Sequence, residues 1–246
     1  MERVDRLSTL MESFRLSARP ATLGEATLVA VRGEHGNPDH LFLSANPTEV
    51  VQDDRSVLLS AFIDWGGDLN PLYLALPEII RHDLSEDPET QSLVNLIETE
   101  FRNQRCGANS VICRLIEVLL VRLLRGQIEA GLVGSGLLAG LSDQRLSMSL
   151  VAIHDHPERL WTNEDLASVA GLSLSRFVEL FNQRVGVTPA SYLRRWRLTL
   201  ARQDLSGGAR VDRVAHKYGF RSSVGFSRAF KRQFGIQPKS IRLHPD

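Results

Sequence analysis

The sequence predicts an α+β protein, in which a small β-rich region with accompanying helices precedes an all-α region. Three observations support this fold class. Short runs of strand-forming residues crowd into the first third of the chain, apolar residues recur at helical spacing from about residue 88, and two late segments repeat one another at an offset of 49 residues. We therefore expect two domains, residues 1–141 and 142–246.

The β-rich region is predicted between residues 21 and 76. Runs of residues with high strand propensity cover residues 27–31, 41–43 and 57–63, and turn-forming sequences separate them. This pattern is typical of a small sheet. In front of it, apolar residues at helical spacing within residues 1–20 predict a short amphipathic helix that Pro20 ends.

Two longer helices are predicted after the sheet, over residues 88–103 and 108–129. The second helix has an apolar stripe, which consists of Val111, Leu115, Val118, Leu119 and Leu123. A small sheet would leave part of this stripe uncovered, and uncovered apolar patches mark interaction sites. We therefore expect this helix to form the contact of a homodimer.

A glycine-rich stretch follows and predicts a flexible tether between the domains. Its glycines are Gly131, Gly134, Gly136 and Gly140. Ser142 and Asp143 are then expected to cap a helix that runs to His154.

The composition is that of a soluble globular protein, with 43% hydrophobic and 24% charged residues. No stretch is apolar enough to span a membrane, and the N-terminus has no apolar run of a secretory signal, so we expect a cytoplasmic protein without a membrane partner. On one helix, Cys106 and Cys113 would lie roughly 10 Å apart, beyond the span of a disulfide, and we expect free thiols.

The charge is unevenly distributed, although the net charge of the chain is zero. Residues 145–246 contain 17 Lys and Arg against 8 Asp and Glu, whereas residues 1–144 contain 12 against 21. The basic second half indicates a polyanion partner for that half alone.

The last hundred residues contain a duplicated unit. Five positions recur 49 residues later, namely Phe177, Phe181, Gly186, Val187 and Pro189 as Phe226, Phe230, Gly235, Ile236 and Pro238. In each copy a short helix reaches a glycine turn, at Gly171 or Gly219, and a serine, Ser173 or Ser222, precedes a second helix. This order is that of a helix-turn-helix unit.

The apolar residues of each second helix are spaced i, i+3 and i+4, which predicts one buried stripe and a free opposite face. They are Phe177, Leu180 and Phe181 in the first copy, and Phe226, Ala229 and Phe230 in the second. Between the copies, residues 189–205 predict one long helix with Leu193, Trp196 and Leu200 on its apolar face. Such a helix would hold the two units at a fixed separation.

These spacings resemble those of the AraC/XylS family of bacterial transcription regulators. The resemblance covers about residues 142–243, and the segments that carry it are 164–167, 171–173, 186–189, 192–198, 214–215, 219–220, 226–231 and 234–238. It implies sequence-specific binding to double-stranded DNA, with the two recognition helices in successive major grooves.

The resemblance also implies which residues contact DNA. These are Ser175, Arg176, Glu179, Ser223, Ser227, Arg228 and Lys231, together with Arg194 and Arg195 of the long helix. A glutamate such as Glu179 would repel phosphate, but it can accept a hydrogen bond from the amino group of cytosine.

Residues 21–130 are similar to the cupin-type sensor of some members of this family, most clearly from Leu58 to Pro77. The predicted strands are fewer than a closed barrel needs, so we expect a partial cupin-like fold. The resemblance implies a sensor and dimerisation domain that modulates DNA binding, a small-molecule effector, RNA polymerase as a partner and a role as an activator.

Neither a metal site nor a cofactor is expected. His154 and His156 have no third ligand at a recognisable spacing, and His35, Asp39 and His40 lack the His-x-His and following glutamate of cupin enzymes. The sequence also has no phosphate-binding loop or nucleophile motif, so we do not expect an enzyme.

Two alternative functions stay open on the sequence alone. One is a cupin-derived enzyme with a DNA-binding appendage, which turnover dependent on residues 21–80 would support. The other is a regulator that acts mainly through protein pairing, which partner binding without residues 145–246 would support.

Overall fold

The computed structural model describes residues 5–14, 16–34, 36–47, 56–67, 69–131 and 135–243. Two compact units make up this part of the chain. The sheet unit comprises residues 14–131, and the helical unit comprises residues 5–13 and 135–243. His35 and Gly134, which the sequence analysis singled out, lie outside the described residues.

The sheet unit is built on five antiparallel strands in the order β1-β4-β2-β3-β5. The strands are β1 Ser17–Pro20, β2 Leu28–Arg32, β3 Pro38–Ser44, β4 Val57–Asp64 and β5 Ile79–Asp83. The helices of this unit are α2 Pro71–Leu74, α3 Pro88–Asn103 and α4 Ala108–Ala130. The predicted mixture of strands and helices is confirmed.

One face of the sheet is the core of this unit. Leu28 of β2 pairs with Leu43 of β3 and Ala61 of β4, and all three side chains are fully buried. Helix α3 packs against β3 and β4, while α4 packs against β1. The alternation of buried and more exposed residues along β3 and β4 matches a sheet with one covered face.

The predicted helix within residues 1–20 is wrong in extent. Helix α1 covers Ser8–Phe14, and residues 17–20 form β1 instead. Strand β1 lies at the edge of the sheet, where Pro20 is tolerated because its missing N–H is not needed by a second neighbour. Pairing with β4 therefore overrides the helical pattern.

The apolar stripe of α4 faces a different direction from the predicted one. Val111 and Val118 are 44% and 50% exposed, whereas Ile112 and Ile116 are buried. Leu119 and Leu123 of the predicted stripe are buried as well, and Leu115 is half-buried. The helix is apolar over more than half of its circumference, so its own unit covers one side and leaves the two valines in solvent.

The helical unit begins with α1, whose Leu10 is fully buried. The Thr9 hydroxyl donates to the Asp155 carboxylate at 2.5 Å. The other helices of this unit are α5 Leu137–Ser142, α6 Gln144–Asp155, α7 Asn163–Val169, α8 Leu174–Val185, α9 Pro189–Ser206, α10 Val211–Lys217 and α11 Ser223–Phe234, followed by a 3-10 helix, Pro238–Leu243.

The predicted tether is partly wrong, because its second half forms α5. Leu137, Leu138 and Leu141 are buried, and the Gly136 N–H donates to the Arg184 carbonyl at 2.8 Å. At Gly140, a Cβ would lie 2.8 Å from both Leu150 and Val185 side chains, so this glycine permits close helix packing. The predicted boundary after residue 141 falls inside α5, whereas the helical unit includes α5 entirely.

The two cysteines are free, as predicted: Cys106 is exposed and precedes α4, while Cys113 is half-buried within it. Among the described helices, none is long and apolar enough to cross a membrane.

Candidate nucleic-acid interface

The first helix-turn-helix unit consists of α7 and α8. A capping box starts α7: Thr162 accepts from the Asp165 N–H, and the Asp165 carboxylate accepts from the Thr162 N–H, which lowers the pKa of Asp165. The turn residue Gly171 has φ 63°, the left-handed conformation that the sequence analysis expected of a glycine there.

The second unit consists of α10 and α11 and repeats the glycine turn, although α10 has no side-chain cap. Gly219 has φ 71°, and a Cβ at this position would lie 2.9 Å from the Glu158 carbonyl oxygen. Ser222 caps α11 by accepting from the Gly225 N–H at 3.1 Å. In both units the turn between the two helices therefore contains a glycine with positive φ, where any other residue would strain the backbone.

Buried aromatic pairs fix the inner face of each second helix. The Phe177 and Phe181 rings lie 5.6 Å apart in α8, and the Phe226 and Phe230 rings lie 5.5 Å apart in α11. All four side chains are fully buried and Leu180 is buried too, which confirms the predicted inner stripes except at Ala229, which is half-buried. The opposite face of each helix is left to solvent.

The long helix α9 connects the two units. Trp196 is buried, and its ring centroid lies 4.7 Å from that of His154. His154 Nε2 forms a hydrogen bond of 2.7 Å with the Tyr192 hydroxyl. Complete burial lowers the pKa of His154 from 6.5 to about 3, so its imidazole is neutral in the folded protein. This contact is structural, and it joins α6 to α9.

The predicted residues of α8 lie on its outward face. Ser175, Arg176 and Glu179 are all exposed. Arg176 Nη1 donates to Glu179 Oε2 at 2.8 Å, one turn further along the helix. Near the start of α8, Arg176 is therefore held in an ion pair with Glu179.

The predicted residues of α11 come together in one open concavity of about 740 Å³. Its lining from α11 and the residues after it consists of Ser223, Val224, Ser227, Arg228, Lys231, Arg232, Gln237 and Lys239, and α10 adds Val211 and the acidic Asp212. Arg228 and Lys231 are exposed, and the two serines are half-buried. Arg232 and Lys239 were not among the predicted site residues, although both are basic and lie directly beside the matched segments.

The two predicted arginines of α9 differ in their surroundings. Arg194 lines a second concavity, of about 580 Å³, together with Arg228 and Arg232 of α11. Arg195 is exposed but does not line either of these concavities. Arg197 donates to the backbone carbonyls of Pro157 and Arg159, so it holds the loop before α7.

Two of the histidines considered as metal ligands, His154 and His40, have other partners. His154 forms a hydrogen bond with Tyr192. His40 Nδ1 lies 2.6 Å from Asp39 Oδ2, and His40 Nε2 lies 2.7 Å from Arg81 Nη2. In the part of the chain that the structure describes, His, Cys, Asp and Glu nowhere form a group of three that could hold a metal ion.

Comparison with known proteins matches two families. Residues 7–129 match the cupin family, and residues 166–244 match a helix-turn-helix domain family. A Streptomyces lividans protein described as an AraC-like transcription regulator is 32% identical over 97% of this chain and 77% of its own length. The transcriptional regulator AlkR of Acinetobacter baylyi is 35% identical over 70% of this chain.

The chain spans 58% of the length of AlkR. A solved structure, the DNA-binding domain of the global transcriptional factor AdpA in complex with a target DNA, is 31% identical. The match covers 42% of this chain and 92% of the AdpA chain, with a TM-score of 0.38.

Proposed function

The chain belongs to the family of AraC-like transcription regulators, and from this we propose that α8 and α11 enter successive major grooves of one DNA duplex. The observation that carries the proposal is the outward face of α11, where Arg228, Lys231 and Arg232 line one open concavity in which they outnumber the acidic Asp212 of α10. A cluster of this kind suits the phosphates and base edges of DNA.

The proposed contacts divide into two kinds. Ser175, Arg176, Glu179, Ser223, Ser227 and Arg228 lie early on their helices, where side chains reach base edges. Lys231, Arg194 and Arg195 are assigned to phosphates, because they lie further along α11 or on the connecting helix. The buried contact of α9 with His154 favours a rigid spacer, which is needed if both helices are to bind the same duplex.

The sheet unit is proposed to modulate DNA binding. Its match to the cupin family supports a sensor role, and a small-molecule effector, RNA polymerase as a partner, activation of transcription and a cytoplasmic location form part of the same proposal. A regulator of this kind acts by binding, so we propose no catalytic reaction for it.

Binding to duplex DNA should weaken steeply with salt. Several Lys and Arg side chains would displace counterions, so the affinity of the full chain should fall at least about tenfold between ~50 and ~200 mM salt. Fluorescence anisotropy with a labelled duplex measures this dependence. An affinity that salt does not change, or no binding at either concentration, would contradict the proposal.

We also propose that the chain forms a homodimer through the exposed side of α4. Val111 and Val118 are seven residues apart and so lie on the same face of the helix. Replacing both with glutamate should dissociate the dimer without unfolding the chain, because neither side chain is buried. Leu160→Glu is a matched control, since Leu160 is 69% exposed and lies in the helical unit.

Analytical ultracentrifugation of the full chain tests the homodimer. A protein concentration of tens of micromolar is suitable, because weak protein pairs have dissociation constants near this range. A wild-type chain that is monomeric under these conditions would rule it out. A Val111→Glu, Val118→Glu chain that sediments as the wild type would place the contact elsewhere.

A further inference from the structure

The two recognition helices differ in charge, although their buried faces are alike. Helix α11 contains three basic residues, Arg228, Lys231 and Arg232, and no acid. Helix α8 contains two arginines and one acid, Glu179, which forms an ion pair with Arg176. A duplication that keeps the aromatic core therefore carries two unequal DNA-facing surfaces.

We propose that α11 supplies most of the phosphate affinity, while the Arg176–Glu179 pair of α8 selects a C·G base pair. This inference depends on the proposed function, because it assigns a division of labour to the same interface. Glu179 is then a specificity-determining residue that weakens binding to DNA in general and improves the choice among sequences.

The position of α11 supports its role in affinity. Arg228 and Arg232 line both concavities, so they lie next to Lys231 and Lys239 on one side and to Arg194 of α9 on the other. Basic side chains from α9, α11 and the 3-10 helix thus surround two adjoining concavities, where they outnumber Asp212 of α10. Contacts from such a cluster to the phosphate backbone depend on charge and not on sequence.

The ion pair of α8 is weak enough to change partners. The side chains of Arg176 and Glu179 are 54% and 67% exposed, and a pair this open adds little to stability because water screens it. A duplex can therefore recruit both groups. Arg176 is the third residue of α8 and Glu179 the sixth, so the two side chains lie on consecutive turns of one face and can contact the same duplex.

The chemistry of the pair matches one base pair better than the others. Guanine offers two neighbouring acceptors in the major groove, O6 and N7, which a guanidinium binds in a bidentate manner. The cytosine paired with it offers an amino donor, which suits a carboxylate. A donor and an acceptor held 2.8 Å apart are thus complementary to neighbouring groups of a single C·G pair.

Sequences without this base pair are penalised by the same carboxylate. Opposite a thymine, the Glu179 oxygens would face the O4 acceptor or the methyl group, and a desolvated carboxylate without a donor is unfavourable. Non-specific complexes are penalised too, because the carboxylate would approach phosphates. Glu179 therefore lowers the affinity for most DNA sequences, and lowers it least for sequences that contain the selected C·G base pair.

The experiment compares full-length chains on DNA selected from a random duplex library. For Glu179→Gln, we expect the preference for cytosine at one base pair to fall about tenfold, near the lower end of what a specific base contact contributes, and the affinity for unselected duplex to rise. For the double variant Lys231→Gln, Arg232→Gln, we expect weaker binding to all sequences, a salt slope reduced by about 2, and unchanged base preferences.

Glu164→Gln is the matched control, because Glu164 is an exposed acid on α7 rather than on a recognition helix. It should leave the selected sequence unchanged. A Glu179→Gln profile identical to that of the wild type, or a changed base preference in the double variant, would overturn the division of labour. If the wild type selects no sequence at all, the proposed function itself fails, which is a different result.

Discussion

Replacing Phe226 with alanine should lower the free energy of unfolding of the helical unit by about 3–5 kcal/mol, the usual loss for a large buried aromatic side chain. Phe226 is fully buried, and its ring lies 5.1 Å from that of Phe220 and 5.5 Å from that of Phe230. The cavity would open between α9, α10 and α11, whose buried residues form one core cluster. Because this core orients α11, DNA affinity should fall with it.

Val224→Ala is the matched control for this prediction. Val224 belongs to the same helix, two residues away, and is 61% exposed. Its replacement should change the free energy of unfolding by less than about 0.5 kcal/mol. Denaturant titration of the full-length variants gives both values, and a Phe226→Ala chain as stable as Val224→Ala would contradict the core assignment.

Acid should destabilise the helical unit through His154. Burial lowers the pKa of this imidazole from 6.5 to about 3 in the folded protein. Between these two pH values the unfolded chain binds a proton that the folded chain does not, so the free energy of unfolding falls as pH falls. The stabilisation is complete above pH 6.5 and is lost at about 1.4 kcal/mol per pH unit below it.

The measurement is denaturant titration at about pH 7 and about pH 5, where linkage predicts a loss near 2 kcal/mol from this residue. His154→Gln should remove that part of the pH dependence, because glutamine has no proton to gain, although the chain will be less stable at neutral pH. His156→Gln, at a position exposed to solvent, should retain it. Equal pH dependence in all three chains would show that His154 is not the titrating group.

The repeat was the most informative feature of the sequence. Glycine turns and aromatic pairs depend on short-range spacing, so Gly171, Gly219, Phe177 and Phe226 have the predicted roles. Of the two predicted serine caps, Ser222 forms its hydrogen bond, whereas the Ser173 side chain forms none at the start of α8. The two recognition helices begin and end at equivalent residues in both copies. Contacts between residues close in sequence determine these helices and turns, so the spacing of apolar residues and glycines is sufficient to predict them.

The errors occur where contacts distant in sequence decide the structure. Strand β1 forms because β4 is available to pair with it, and α5 forms because α8 offers a surface on which Leu138 and Gly140 can be buried. Neither partner can be recognised from the local sequence. The direction of the α4 stripe has the same cause, since several of its faces are apolar and the sheet selects among them.

The site was predicted as a set of residues but not as an arrangement. Arg176 and Glu179 are three residues apart, a spacing that allows an ion pair, and the structure contains it. The convergence of Arg194 with Arg228 and Arg232 involves two helices that are distant in sequence, so no local pattern predicts it.

The measurement that tests the central claim most directly is a hydroxyl-radical footprint of the full-length chain on its selected DNA. If α8 and α11 enter successive major grooves, two protected stretches should lie on one face of the duplex, about 10–11 base pairs apart. The double variant Lys231→Gln, Arg232→Gln should weaken the protection that belongs to α11 first. A single short footprint, or two on opposite faces of the duplex, would contradict simultaneous binding by both helices.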